Sequence, residues 1–216
     1  MVLAKLRKPI TKNTENKLFK NASTEKIFTH IYIRNKWGDT ESRSGKGSNL
    51  DRTSSLMHAL PALRTQLKAE TMLDIPCGDF HWMKEVKLPL RKHLGADTVK
   101  SLINDNQRRY GNKQRNFVHL DLMRDSLPEV DVIFCRNCLV HLSFADISMA
   151  IENVRKSGAE YFITTHFPQV SFNKDCITGK HQAFNFNIES FNWPNPMLGQ
   201  LEYNAGKRRG DKYLSV

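Results

Sequence analysis

Three short apolar runs end on residues that could hold a nucleoside between them. Thr71–Ile75 leads into Pro76-Cys77-Gly78-Asp79-Phe80, where a glycine lets ligand atoms approach the backbone. His93–Ala96 ends at Asp97, placed to accept hydrogen bonds from ribose hydroxyls. The interval from Gly78 to Asp97 is close to the roughly 20 residues expected for a ribose-binding acid. Phe117–Leu120 ends at Asp121, placed to accept a hydrogen bond from an adenine amino group. An aspartate after a strand is also a common turn or helix cap. Asp97 and Asp121 together, falling in phase with one sheet, point to a nucleoside more strongly than either does alone.

Two histidines follow further apolar runs, His141 past Val130–Cys135 and His166 past Tyr161–Thr165. An imidazole with its ordinary pKa near 6.5 is a usable base at neutral pH. Leu139, Val140 and Leu142 around His141 limit its solvation, which favours the neutral ring. Cys135-Arg136-Asn137-Cys138 is a CxxC with His141 three residues on. A structural zinc site needs a fourth ligand, and no second CxxC exists, so no metal is expected. These cysteines are expected to be reduced and to line or back a pocket, with Cys77 close by.

The elements that must position these residues alternate from residue 71 onward. Phe80–Val86 suits a short helix, and Val99, Leu102 and Ile103 form a helical face. Ile147, Ala150, Ile151 and Val154 make an apolar stripe at helical spacing. Strands and helices in alternation give a parallel sheet covered by helices. Leu198–Tyr203, a turn at Asn204–Asp211 and Lys212–Val216 read as an antiparallel hairpin. The expected fold is an α/β Rossmann-like three-layer sandwich, its mostly parallel seven-stranded sheet closed by that hairpin.

Upstream, residues 1–24 are polar, basic and expected to be loose. Residues 25–37 look helical, residues 38–50 form a Gly/Ser loop, and a helix over Leu50–Leu67 is capped by Asp51 or Ser48. The division is thus an arm, helix and loop over 1–49 and a main domain over 50–216. Residues 167–195 form an insertion in which Asn173, Gly179, His181, Asn185, Phe184 and Phe186 could build a substrate lid.

The formal charge of +11 over 216 residues is the compositional outlier. It fits a nucleic acid, an anionic metabolite, an anionic surface or simply a solvated exterior. Part of it is local: residues 1–20 hold six Lys/Arg and one Glu, and Lys207, Arg208 and Arg209 cluster near the end. No run of about 18 apolar residues exists, so no membrane span is expected. The first twenty residues lack a continuous apolar segment, which argues against a secretory signal and leaves an organelle transit peptide open. With only four cysteines, the expected setting is a reducing, cytoplasmic one.

Residues 71–165 resemble a class I S-adenosylmethionine-dependent methyltransferase, with Asp74-x-x-Cys77-Gly78 as its first motif. The wider chain resembles a group of bacterial and viral-type methyltransferase domains. That likeness is carried by Leu73–Met83, by Cys135–Ser143, by Gly210–Ser215, and upstream by Trp37-Gly38 and Ser42–Ser48. The resemblance implies S-adenosylmethionine as cofactor, with Asp74 and Gly78 bordering the methionine moiety, Asp97 the ribose and Asp121 the adenine. Pro76, Cys77, Leu122 and Asn137 complete the implied cofactor set. His141 and His166 are the candidate catalytic groups, and Trp37, Trp82, His181 and Asn185 the candidate substrate contacts. Trp82 also reads as core, and Trp37 as a staple for the N-terminal helix. The family loop carries three glycines; here Pro76 and Phe80 stand at two of those places. That loss argues against NAD, whose pyrophosphate needs close backbone approach. The implied activity is methyl transfer to an oxygen or nitrogen of a small molecule or glycan. An RNA methyltransferase using the basic surface and a non-catalytic S-adenosylmethionine-binding protein are the alternatives. No Asn/Asp-Pro-Pro-Tyr/Phe motif follows the fourth strand, which weighs against base methylation.

Overall fold

A computed structural model describes residues 12–204 and 211–216. The first eleven residues of the basic arm, the Lys207-Arg208-Arg209 cluster and most of the hairpin turn lie outside the described residues. In chain order the elements are α1 (Lys12–Asn21), α2 (Thr24–Ile33), α3 (Leu50–Gln66), β1 (Thr71–Asp74), β2 (Lys92–Asp97) and α4 (Lys100–Tyr110). They continue with β3 (Arg115–His119), β4 (Val132–Cys135), α5 (Phe144–Lys156), β5 (Tyr161–His166), β6 (Gly199–Asn204) and β7 (Asp211–Ser215).

The seven strands form one sheet in the order β3-β2-β1-β4-β5-β7-β6. β1 to β5 run parallel, and β7 pairs antiparallel with both β5 and β6. Every residue of β1 and β4 is buried, as central parallel strands covered on both faces must be. Alternation along β1 sends Met72 to one apolar cluster and Leu73 to the other. The first cluster takes Leu56 and Leu60 of α3 and Leu102 and Ile103 of α4. The second takes Ile147, Ala150 and Val154 of α5, the stripe anticipated from spacing.

Several local expectations are corrected. α3 is capped by Asn49, whose side chain accepts from the Arg52 N–H at 3.1 Å, and not by Asp51 or Ser48. Ser48 is spent in a preceding 3₁₀ turn, while Asn49 has the extended backbone a cap needs. α2 stops at Ile33, and Asn35 follows in the left-handed region at φ 45°, so the helix does not reach residue 37. Residues 12–21 of the arm are helical. α1 sinks Phe19 against Ile27 and Ile31 and places Glu15 between Lys36 and Lys180. Burial pushes the Glu15 carboxyl up, but the two lysines outweigh it and hold it down at about 2. The short helix expected at 80–86 is a single 3₁₀ turn, Met83–Glu85, because Phe80 sits at φ 57°. Among the described residues no helix is long and apolar enough to cross a membrane.

Candidate active site

The sheet order reverses between β1 and β4, and a cavity of about 530 Å³ opens beyond the carboxyl ends of the strands there. This is the switch point at which open α/β sheets bind ligands. The turns after β1, β2, β3 and β4 line one side; α2 and the 36–48 segment line the other.

Asp74, Pro76, Cys77 and Gly78 all reach the cavity. Gly78 has φ +54°, and a Cβ there would lie 2.3 Å from Ser44 Oγ, so the position needs glycine twice over. Its N–H donates to Asp97 Oδ2 at 3.3 Å, and its carbonyl accepts from the Asn106 amide at 2.7 Å. Asp97 Oδ1 accepts from the Val99 N–H at 2.9 Å. Burial drives the Asp97 carboxyl up to about 6 despite those two N–H donors. Asp121 and Leu122 line the adjoining wall, with Asp121 Oδ1 accepting from the Met123 N–H at 2.9 Å. Asn137 completes this half at φ 54°, its amide close enough to Gly47 to exclude a Cβ there.

The opposite wall is tied to the first motif through Asp79. Its carboxylate accepts from the Ser42 hydroxyl, the Arg43 N–H at 2.8 Å and the Ser44 hydroxyl at 3.1 Å. Residues 42–48 are thereby fastened beside the glycine turn, with Phe28, Tyr32 and Trp37 above them in the lining. Trp37 both faces the cavity and packs against Phe28 of α2, so the two roles considered for it coincide. Trp82 likewise lines the cavity while only 6% exposed in the core.

His141 stands between Trp37 and His181, 5.4 Å from each ring centre. Its Nδ1 lies 3.1 Å from the Lys180 carbonyl. A carbonyl only accepts, so the neutral ring carries its hydrogen on Nδ1 and keeps a lone pair on Nε2. Burial, followed by the charge of His181, pushes His141 down to about 3. That keeps the ring neutral but leaves it far below the pKa best suited to removing protons at pH 7.

The structure does not bring His166 or Asn185 to the cavity. They bond to each other at 3.1 Å, and the Asn185 amide donates to the Pro168 and Val170 carbonyls. The 167–195 segment is mostly packing: Phe184, Phe186, Phe191 and Trp193 form an aromatic cluster against Phe144 and Phe162. It reaches the cavity through Phe167 and His181. Cys77 does not group with Cys135 and Cys138; it packs in the other apolar cluster, with the Asn106 amide 3.7 Å from its sulfur. Among the described residues no group of three or more His, Cys, Asp or Glu is placed to hold a metal ion.

Sequence reasoning missed the cavity floor. Arg136 and Lys212 both line it, and both bind Glu202, which is fully buried on β6. A bulge in β6 between Leu201 and Tyr203 re-aims that strand locally. Arg136 lies within the CxxC segment, where the cysteines are the residues that suggest chemistry.

No family model matches the chain, and no curated protein does. Solved structures do. A SAM-dependent methyltransferase from Leishmania major superposes with a TM-score of 0.67 at 11% identity, over 94% of this chain and 89% of that one. The N-methyltransferase NodS from Bradyrhizobium japonicum WM9, in complex with S-adenosyl-L-homocysteine, gives 0.64 at 15% identity, over 87% and 96%. Magnesium protoporphyrin IX methyltransferase from Synechocystis PCC 6803, with bound SAH, gives 0.59 at 15% identity, over 89% and 98%. The chain therefore has the class I methyltransferase fold.

Proposed function

We propose that this chain, built on the class I methyltransferase fold, binds S-adenosylmethionine and transfers its methyl group to an oxygen or nitrogen of a small molecule or glycan. The observation that carries this reading is the pair Gly78–Asp97, a bare backbone turn bonded to a buried carboxylate at the mouth of β1 and β2. The residues fit the cofactor. Gly78 offers bare backbone at the cavity wall, Asp97 offers lone pairs to a diol, and Asp121 offers one to an amino group. Asp74, Pro76, Cys77, Leu122 and Asn137 line the remainder of that half.

When bound, S-adenosylmethionine supplies an activated methyl group on a sulfonium, so the protein's task is orientation and electrostatics. In this reading Trp37, Trp82 and His181 wall the acceptor, and Trp37 and Trp82 exclude water. His141 accepts a hydrogen bond at Nε2 from the acceptor's O–H or N–H and aims its lone pair. Its low basicity favours this orienting role over proton removal. His166 supports the insertion from behind.

Calorimetric titration with S-adenosyl-L-homocysteine tests the cofactor half; micromolar binding is expected, and none would overturn the reading. A cofactor-turnover assay against pooled metabolites, glycans and total RNA tests the acceptor. Turnover with RNA alone would replace the small-molecule reading.

A further inference from the structure

His141 is held from two sides by a carboxylate it never touches. Glu15 of α1 does not line the cavity and is only 8% exposed. Its Oε1 pairs with Lys36 Nζ at 2.9 Å, and its Oε2 accepts from Lys180 Nζ at 3.0 Å. Each lysine adjoins a ring that flanks His141: Lys36 precedes Trp37, and Lys180 precedes His181. Glu15 and Lys180 stand 165 residues apart in sequence, so this contact is set by the fold and not by the helix alone.

The Lys180 side leads directly to the imidazole. The Lys180 carbonyl lies 3.1 Å from His141 Nδ1. The Gly179 N–H donates to the His141 carbonyl at 2.8 Å, and the Gln182 N–H donates to the Val140 carbonyl at 2.8 Å. Residues 179–182 therefore cannot shift without disturbing His141. α1 bears on that stretch a second time. Gly179 has φ +95°, and a Cβ there would lie 2.8 Å from the Phe19 ring. Lys180 Nζ lies over the same ring at 4.9 Å. On the other side, Lys36 lines the cavity, its N–H donates to the Ile31 carbonyl at 3.0 Å, and Trp37 packs on Phe28 of α2. A helix of ten residues does not hold itself in water, so α1 keeps its place through these contacts. They converge on the two walls around one histidine. Moving a largely buried carboxylate off two cations is costly, which makes the clasp stiff.

We propose that Glu15 is a positioning residue for the acceptor side of the site. By holding Lys36 and Lys180 at once, it sets Trp37 and His181 about His141 and preserves the Nδ1-protonated tautomer that leaves Nε2 bare. The inference rests on the methyl-transfer reading only in naming the acceptor as what Nε2 meets; the coupling of Glu15 to the ring needs no acceptor to be seen. If Glu15 merely docked α1, its loss would lower stability and leave the imidazole unchanged.

The test is a nitrogen-15 spectrum of the histidine rings in the full-length protein, with the His141 signals identified by their loss in His141→Gln. The wild-type ring should show a protonated Nδ1 and a bare Nε2 across pH 5–8. Glu15→Gln keeps the shape and removes the charge. In it a second tautomer should appear, and the ring should titrate towards its ordinary value near 6.5 as water reaches it. His181 and Lys212 are the charged and titratable groups that bear on the ring, and neither is altered. Amide exchange at Gly179 and Gln182 should quicken about tenfold while β1 and β4 stay protected. Lys180→Met removes one side of the clasp and keeps the carbonyl; its side chain is 31% exposed, so it folds even if Glu15→Gln does not, and it should show the same changes. Val154→Ala, at the far end of α5, lowers stability through the core and should leave the ring as in wild type. A ring unchanged in both Glu15→Gln and Lys180→Met overturns the proposal, as does an equal change in Val154→Ala. Calorimetry with S-adenosyl-L-homocysteine on the wild-type sample keeps the two readings apart. Absence of binding counts against methyl transfer and leaves the ring result standing.

Discussion

The Gly78 N–H and the Asp97 carboxylate meet at 3.3 Å across the ends of β1 and β2. That contact fixes the carboxylate over the glycine turn, and it is made at a cost. The Asp97 carboxyl titrates near 6 in the fold against 3.8 as the ordinary value, chiefly through burial. A raised acid pKa contributes stability below the ordinary value, lost as pH rises through the folded one. At pH 7 the ionised group therefore destabilises the empty fold by on the order of 3 kcal/mol or less. Asp97→Asn should raise thermal stability at pH 7 while weakening S-adenosyl-L-homocysteine binding about ten- to a hundredfold. Melting curves and calorimetry on the same sample check both halves; unchanged affinity removes Asp97 from the site.

The same group gives binding a pH dependence with a definite sign. Hydroxyl donors favour the carboxylate over the acid, so occupancy should lower the Asp97 pKa and expel a proton. Affinity for S-adenosyl-L-homocysteine should be level above pH 7 and fall as pH drops through about 6. Calorimetry in two buffers of different ionisation heat would register proton release near pH 6. An affinity flat from pH 5 to 8 contradicts the assignment.

His141 offers a test by substitution. Its ring stays neutral far below pH 6 because burial depresses it to about 3. An orienting acceptor can be replaced by an amide oxygen, whereas a proton-removing base cannot. His141→Ala should lower turnover about 10- to 100-fold, and His141→Gln should recover most of it across pH 6–8. Cofactor affinity should stay put in both. A glutamine variant as slow as the alanine one would restore the general-base role.

Asp79 predicts the behaviour of the wall. Its carboxylate holds Ser42, Arg43 and Ser44, so Asp79→Ala releases the segment that faces the glycine turn. Removing a carboxylate with several donors costs about 1.5–3 kcal/mol per charge-assisted bond at most, less where water replaces it. Hydrogen exchange should speed at residues 42–48 and remain slow in β1 and β4. Protection unchanged at Ser44 would mean that other contacts hold the wall.

How much of this was legible follows from range along the chain. The strand ends were readable because each apolar run and its terminal acid are local, and a parallel strand covered on both faces shows as a continuous apolar run. The α5 stripe was readable for the same reason. The helical expectation at Phe80 fails because its left-handed backbone reflects the tight turn, which residue type does not announce. α1 is not legible because its sequence is polar and its anchors lie outside it: Phe19 packs on Ile27 and Ile31, and Glu15 pairs with Lys36 and with Lys180, far along the chain. His166 and Asn185 carried promising types, yet they satisfy each other 19 residues apart. The floor was hidden most deeply, since Arg136 and Glu202 are separated by 66 residues and no periodicity links them.

That floor supplies a last prediction, an asymmetry between its members. Burial pushes the Glu202 carboxyl up, but Arg136 and Lys212 outweigh it and hold it below the usual range. A depressed acid pKa contributes stability present above the ordinary value and lost as pH falls through the folded one. Glu202→Gln removes that contribution and leaves two buried cations facing each other, which should cost about 3–5 kcal/mol. Lys212→Met leaves Arg136 paired with Glu202 and should cost less than Glu202→Gln. The Glu202→Gln protein should also lose part of the acid limb of the wild-type stability profile, because the group that titrates there is gone. Chemical denaturation of both variants between pH 3 and 8 checks this. Equal destabilisation by the two substitutions would mean that packing, and not the Glu202 charge, governs the floor.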